Sequence, residues 1–346
     1  MSGGEGRSAR VALGTVATLG LATAGAYLAE RRVVNSWSAI DDPFRGEPSS
    51  LSGVERFIET ESGARLRVVE CGASVDGRAV ESTSAGALVI LAHGFTSTAD
   101  HWAPLVSRLA AAGLRVVAFD QRGHGASVPG RGRFRPEDLG HDLAAVVAAT
   151  ARCSERSSPE GVVLVGHSMG GIGIQALLAH HPEVTSEIGA LVLVATLARP
   201  VTVPLGQLMS RLGGLAIARK AMAHRVHGRA LVRGGAGRVP YPTVLDVVRG
   251  GWVGCPDATR AAVMRDLRGF DFTDVLASVP VPTSVVCGDL DKVTPLRENR
   301  RIAETMPNAR LEVMEGSGHA VTWEAVDRLA AIIVHHAKSD HIGDQS

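Results

Sequence analysis

Residues 161–173 read Gly-Val-Val-Leu-Val-Gly-His-Ser-Met-Gly-Gly-Ile-Gly, and no other stretch restricts the fold as strongly. The unbroken aliphatic run Val162 to Val165 predicts a strand buried on both faces. It stops at Gly166, and a helical pattern follows through Ile174, Ala176, Leu177 and Leu178. Ser168 falls between the two, with glycine two residues before and two after. That arrangement fits a strained strand-to-helix turn that lifts a hydroxyl off the sheet edge. Glycine is needed where the two backbones pass too close for a Cβ. The helix then directs its first N–H groups at the serine, where negative charge would develop. The alternative is a glycine-rich turn with an incidental serine, and the rest of the chain must decide between them.

Around this stretch, strands and helices alternate. Val54 to Thr60 and Ala64 to Cys71 predict a hairpin around Glu61-Ser62-Gly63. Ala87–Ala92, Leu114–Phe119 and Ile188–Ala195 predict buried strands, with helices over Ala99–Ala112 and Pro136–Ala151 between them. Thr283–Gly288 and Arg310–Met314 resume the strands, and helices are expected over Pro295–Met306 and Thr322–Ala337. This order predicts an α/β fold with a mostly parallel sheet, right-handed crossovers and helices on both faces. Residues 198–275 interrupt it with a helical period, too long for a loop, and predict an inserted helical cap. The expected organisation is therefore an N-terminal apolar segment 1–32, a linker 33–53, a core 54–197 and 276–337, the cap 198–275 and a polar tail 338–346.

Composition excludes several classes. A net charge of +1 does not suit a nucleic-acid-binding protein, and 4% aromatic content does not suit a stacking groove. The four cysteines (Cys71, Cys153, Cys255, Cys287) are widely spaced with no Cys-x-x-Cys pair, so zinc and thioredoxin-type chemistry are not expected. Within the cap, between Arg199 and Phe270, eleven Arg and one Lys face three Asp. Either this is a solvated helical surface, or it meets anionic lipid headgroups or an anionic substrate.

A serine hydroxyl is a poor nucleophile at neutral pH. It needs a base, a group that fixes the base's tautomer, and donors for the oxyanion. In an open parallel sheet these should lie just past the C-terminal ends of strands. Past the last strand, Gly316-Ser317-Gly318-His319 offers a histidine as the base. Past the preceding strand, Asp289 and Asp291 both offer a carboxylate. The strand ending at Ala195 is followed by Thr196 and no carboxylate.

These residues resemble the α/β-hydrolase family over about residues 54–337, which implies an eight-stranded sheet. Gly166-His167-Ser168-Met169-Gly170 looks like its nucleophile elbow, and Gly288-Asp289-Leu290-Asp291 like its Gly-x-x-Asp, which selects Asp291 as the acid. Asp289 is then expected to bond loop N–H groups. His93-Gly94-Phe95-Thr96 is similar to the family's oxyanion loop, which implies the Phe95 and Met169 N–H groups as the oxyanion donors, with His93 structural. Asp120-Gln121-Arg122-Gly123-His124-Gly125-Ala126-Ser127 resembles a fold-building turn of the family, with His124 structural. The elbow, this turn and the helical cap look like monoacylglycerol-lipase-like and carboxylesterase-like members, and the N-terminal Ala/Gly-rich segment that ends in Glu30-Arg31-Arg32 is similar to a group of actinobacterial hydrolases. Related dehalogenases and epoxide hydrolases use aspartate at the elbow, so Ser168 argues against both.

The resemblance implies a serine hydrolase cleaving a carboxylic ester or thioester, with Ser168, His319 and Asp291 catalytic and no metal or organic cofactor. An acyltransferase with the same triad, a cofactor-free haloperoxidase-like enzyme and a non-catalytic binding protein stand as alternatives. The partner is expected to be a small acyl ester, including lipid. Cap residues Leu205, Leu208, Met209, Leu212 and Leu215 are candidates for an acyl pocket, or are simple core.

Val11 to Ala29 holds 19 residues without a charge, but Ala, Gly and Thr dominate it, so insertion in a bilayer would be marginal. Small residues at Gly14, Thr18, Ala22 and Ala26 form one helical stripe. Three readings stand: a membrane anchor, a cleaved signal ending near Ala24-Gly25-Ala26, and a helix docked on the protein. The first predicts a membrane-associated protein with a membrane surface as partner. The others predict a secreted or cytoplasmic one.

Overall fold

The computed structural model describes residues 27–72, 88–151, 161–201 and 216–338, together with the backbone of a short hairpin at 74–75 and 78–79. Eight strands form one sheet: β1 (Val54–Glu59), β2 (Arg65–Cys71), β3 (Leu88–Ala92), β4 (Arg115–Phe119), β5 (Val162–His167), β6 (Ile188–Val194), β7 (Thr283–Gly288) and β8 (Ala309–Met314). Their spatial order is β1-β2-β4-β3-β5-β6-β7-β8. The β1–β2 and β2–β4 pairs are antiparallel, and from β4 onward every pair is parallel. The helices are α1 (residues 27–37), α2 (Ala103–Ala111), α3 (Pro136–Ala151), α4 (Met169–His180), α5 (Ala216–Ala223), α6 (Arg225–Val232), α7 (Pro242–Gly254), α8 (Asp257–Asp266), α9 (Thr273–Ala277), α10 (Leu296–Thr305), α11 (Val321–Glu324) and α12 (Val326–Lys338). This is the α/β-hydrolase fold, a mostly parallel eight-stranded sheet covered by helices.

Strand β5 shows why its sequence is unbroken. Successive side chains point to opposite faces. Val163 and Val165 join the core that holds Trp102, Trp323, Leu329 and Ile333. Val162 and Leu164 join the core that holds Leu143, Ile174 and Leu177. Both faces lie under helices, so the strand is apolar from Val162 to Val165 and turns polar only at its last residue, His167. Each of the aliphatic side chains contributes about 1.5–3 kcal/mol through burial. Because the sheet is parallel around β5, the segments leaving β3, β5, β6, β7 and β8 all emerge at the same edge.

Between β6 and β7 the chain leaves the alternation for helices α5 to α9. Two arginines of this insertion are internal. Arg229, 2% exposed, makes a two-pronged ion pair with Asp246. Arg260, 1% exposed, donates to the Trp252 and Cys255 carbonyls and pairs with Asp257. Arg133 and Arg265 share the buried Asp266 carboxylate. Arg229 and Arg260 thus tie parts of the insertion to one another, whereas the Arg133 and Arg265 side chains stay largely exposed around Asp266. The acyl-pocket candidates Leu205, Leu208, Met209, Leu212 and Leu215 lie outside the described residues.

Residues 33–53, expected as a linker, are instead helical to residue 37 and then anchored to the body. Asp42 accepts hydrogen bonds from Phe44 N and from Thr243 N of α7. Phe44 is buried edge-on against Tyr241 and Trp323. Glu47 pairs with Arg108 at 2.8 Å, and Leu51 N donates to Asp100. Prolines and serines signal the irregular backbone here, but the tertiary contacts that fix it carry no local pattern.

The membrane-associated reading is corrected. Among the described residues no helix is long and apolar enough to cross a membrane. Residues 11–26 of the expected anchor lie outside the described residues. The part that is described, the start of α1, meets protein: Tyr27 packs on His224 and His227, and Glu30 bonds His227 at 2.6 Å. A polar, hydrogen-bonded contact of this kind on the inserted helices is not what a spanning segment presents to lipid.

Candidate active site

The turn from β5 into α4 holds Ser168 at φ 51°, a left-handed conformation that is strained for a residue with a side chain. The surroundings over-determine it. Ser168 N donates to Val194 O at 2.8 Å, and Thr196 Oγ1 donates to Ser168 O at 2.7 Å. A Cβ at Gly166 would lie 2.6 Å from the Gly170 carbonyl, and one at Gly170 would collide with the Ala92 carbonyl. Both glycines are therefore required by close backbone approach, the first between β5 and α4, the second between α4 and the end of β3. The position after β6, which offers no carboxylate, has this structural duty instead: its threonine holds the elbow.

Past β8, His319 faces the serine. Its Nε2 stands 3.2 Å from Ser168 Oγ, and its Nδ1 stands 2.9 Å from Asp291 Oδ2. Asp291 is 5% exposed and well supplied with donors. Its Oδ1 accepts from Val293 N at 2.7 Å and Thr294 N at 2.9 Å, and its Oδ2 also accepts from Thr294 Oγ1 at 2.7 Å. Burial works to raise this carboxyl, but the facing His319 and the Thr294 donors outweigh it and hold it below its ordinary value. Asp291 therefore stays ionised and fixes the Nδ1–H tautomer, leaving the Nε2 lone pair toward the serine. Asp289 does something different: its Oδ1 accepts Gly316 N at 2.7 Å, tying the loop after β7 to the loop after β8.

Phe95 and Met169 flank the serine from two sides. Met169 opens α4, and Phe95 lies on the loop after β3, where Gly94 comes close enough that a Cβ would sit 3.3 Å from Ser168 Cβ. Neither main-chain N–H of this pair has a hydrogen-bond acceptor among the described residues. The Phe95 ring lies against Trp252 of α7, and Gly251 of the same helix approaches the Thr96 carbonyl at a distance only glycine permits.

Four buried or part-buried imidazoles brace this constellation. His93 donates Nδ1–H to Gly94 O at 2.7 Å and accepts from Gln121 N at 2.9 Å. His124 donates Nδ1–H to Arg122 O at 3.1 Å and accepts from Thr96 N at 3.3 Å. His167 donates Nε2–H to His319 O at 3.0 Å, while its Nδ1 faces Gly94 without a partner among the described residues. His101 bonds Thr322 Oγ1 at 2.7 Å and stacks on His167. Beneath them, Asp120 accepts from Ala99 N and Ala126 N, and Arg122 forks onto Asp142 at 2.6 and 2.7 Å.

Burial pushes His93 and His124 down to about 3 and His101 to about 4, and holds His167 well below the ordinary histidine value. All four are neutral in the folded protein, and three use a bare ring nitrogen or a single N–H that a second proton would disturb. An unfolded chain binds protons at these histidines below the ordinary value of 6.5, and the folded one does not. Stability is therefore full above about pH 6.5 and falls as pH falls, by about 1.4 kcal/mol per pH unit for each buried histidine. The expected result is a decline in Tm that begins below about pH 6.5, while carboxylates are still ionised. A Tm that stays flat down to about pH 5 would contradict neutral buried histidines.

Sequence reasoning missed Glu324. Its Oε1 accepts Gly237 N and its Oε2 accepts Gly318 N, both at 2.6 Å. It also missed His167 as a support for the His319 main chain. The signal for Glu324 is only a carboxylate in the first turn after the His319 loop, which reads as a helix-dipole residue.

The family described as serine aminopeptidase, S33, matches residues 83–325. A non-heme chloroperoxidase of Kitasatospora aureofaciens is 28% identical over 262 residues, covering 70% of this chain and 88% of that protein. A bifunctional esterase/perhydrolase of Acinetobacter calcoaceticus is 28% identical over 244 residues, covering 68% and 85%. An esterase from Exiguobacterium antarcticum has the same fold, with a TM-score of 0.67 at 20% identity over 83% of this chain and 100% of its own. The matched region spans every strand from β3 to β8, the elbow and His319. The chain is an α/β-hydrolase and belongs to the family described as serine aminopeptidase, S33.

Proposed function

We propose that the chain is a serine hydrolase that cleaves a carboxylic ester, or thioester, through an acyl-enzyme on Ser168. The observation that carries this reading is the continuous line Asp291 Oδ2, His319 Nδ1, His319 Nε2 and Ser168 Oγ, with links of 2.9 and 3.2 Å. His319 takes the Ser168 proton as Oγ attacks the acyl carbon. The oxyanion forms between the Phe95 and Met169 N–H groups, each worth about 3 kcal/mol of barrier. The imidazolium passes its proton to the leaving alcohol. Water, deprotonated by the same imidazole, then attacks the acyl-enzyme and releases the acid. Asp291 stabilises the imidazolium in both steps.

A series of p-nitrophenyl esters from acetate to palmitate tests this and locates the acyl-length optimum. Catalytic turnover on at least one member, with one acid released per nitrophenol, is expected. No turnover on any member counts against an ester hydrolase. Acyl transfer to an added alcohol in preference to water would point to an acyltransferase.

Two relatives favour one further reading, since one is named a chloroperoxidase and the other a perhydrolase. An acyl-enzyme on Ser168 attacked by hydrogen peroxide in place of water would yield a peracid by the same proton transfers. Peracid formation with an acetate ester and peroxide checks it.

A further inference from the structure

The loop that carries His319 is held from above by the inserted helices. Residues 233–238, between α6 and α7, lie directly on residues 316–319. His319 N donates to Gly235 O at 2.7 Å, and Arg238 N donates to Gly316 O at 2.7 Å. Backbone meets backbone here: a Cβ at Gly318 would lie 2.5 Å from Gly235 O, and one at Gly237 would strike Gly316 O and lie 2.9 Å from Ser317 Cα. Arg233 shapes the upper loop by donating to the carbonyls of Ala236, Gly237 and Arg238. One side chain bridges both loops. The Glu324 carboxylate accepts from Gly237 N of the upper loop with one oxygen and from Gly318 N, next to His319, with the other, each at 2.6 Å.

We propose that Glu324 is a positioning residue that joins the loop 233–238 to the loop bearing His319, so that docking of the inserted helices sets where the base stands relative to Ser168. The inference rests on His319 being the base. A carboxylate suits the task because it alone among short side chains offers two acceptor oxygens and no donor. It touches neither substrate nor the reacting atoms. Its effect is on alignment, where a displacement of about 1 Å costs about 10²-fold in rate.

Glu324→Gln keeps the size but leaves one acceptor oxygen for two N–H groups. In the folded variant kcat on a p-nitrophenyl ester is expected to fall about 10²-fold with KM within about twofold, since ground-state binding is untouched. A folded Glu324→Gln with kcat within about twofold of the parent overturns the proposal. Gly237→Ala approaches the same joint without touching Glu324 or His319, by wedging the loops apart, and the same loss is expected. It answers the question where Glu324→Gln does not fold. Combined, the two substitutions should cost far less than the product of the separate losses, because they break one joint. Fully multiplicative losses would overturn a common mechanism. Labelling of the parent protein by a fluorophosphonate separates the two levels. A parent that does not label refutes the serine-hydrolase reading itself, whereas a parent and a Glu324→Gln variant that label at equal rates refute only the positioning role.

Discussion

Ser168→Ala is expected to lower kcat on any ester substrate on the order of 10⁶-fold, with KM little changed and with fluorophosphonate labelling abolished. The size of the effect follows from the arrangement. Among the described residues only Ser168 has a hydroxyl within 3.2 Å of His319 Nε2, and that hydroxyl is held out by a φ of 51° that the Val194 and Thr196 hydrogen bonds enforce. Alanine removes one oxygen and relieves none of the backbone contacts, so the variant should fold with a Tm close to the parent. Because the residues act as a unit, His319→Ala should cost a similar factor, and the double variant little more than either alone. Labelling that persists in Ser168→Ala would mean that the probe reacts elsewhere.

Asp291→Asn is expected to lower kcat about 10⁴-fold. Two amides determine the outcome. Val293 N and Thr294 N both donate to Oδ1, so an asparagine keeps its carbonyl oxygen on that side and turns its NH₂ toward His319. Nδ1 must then accept, the ring proton moves to Nε2, and the lone pair that should receive the Ser168 proton is gone. KM should stay near the parent value, since no substrate contact changes. Asp289→Asn serves as the comparison: its carboxylate bonds Gly316 N and not the imidazole, so kcat should change far less. A larger loss at Asp289 than at Asp291 would reverse the assignment.

The parts of this site that were legible in the sequence share a physical cause. A strand buried on both faces must be apolar throughout, so β3, β5, β6 and β7 announce themselves, and the chain order places the segments after them at one edge. Ser168 and His319 could be located from that, once a glycine-rich turn marked each strand end, whereas the strand pattern left Asp289 and Asp291 both open and only the resemblance to the family's Gly-x-x-Asp selected Asp291. What stayed hidden depends on contacts between residues far apart in sequence. Glu324 looks like any acidic residue in a first helical turn, and only the approach of Gly237, 87 positions away, gives it a task. Arg229 and Arg260 look like surface charge in an arginine-rich segment, yet they are buried and bonded within the inserted helices. Asp42 and Phe44 sit in a stretch with the composition of a linker, and a carboxylate and one ring fix it to α7. Periodicity reports which side of an element faces a core, and it carries no information about which other loop will arrive there.

The most direct test of the account is the mass of the protein caught during turnover of an activated ester. A p-nitrophenyl ester is mixed with the protein, the reaction is quenched in acid within the first turnovers, and the digest is mapped. The account predicts one added acyl group, located on the peptide containing Ser168, which disappears when the quench is delayed past substrate exhaustion. An acyl group on any other residue, or steady turnover with no acylated peptide and no burst of nitrophenol, would contradict it.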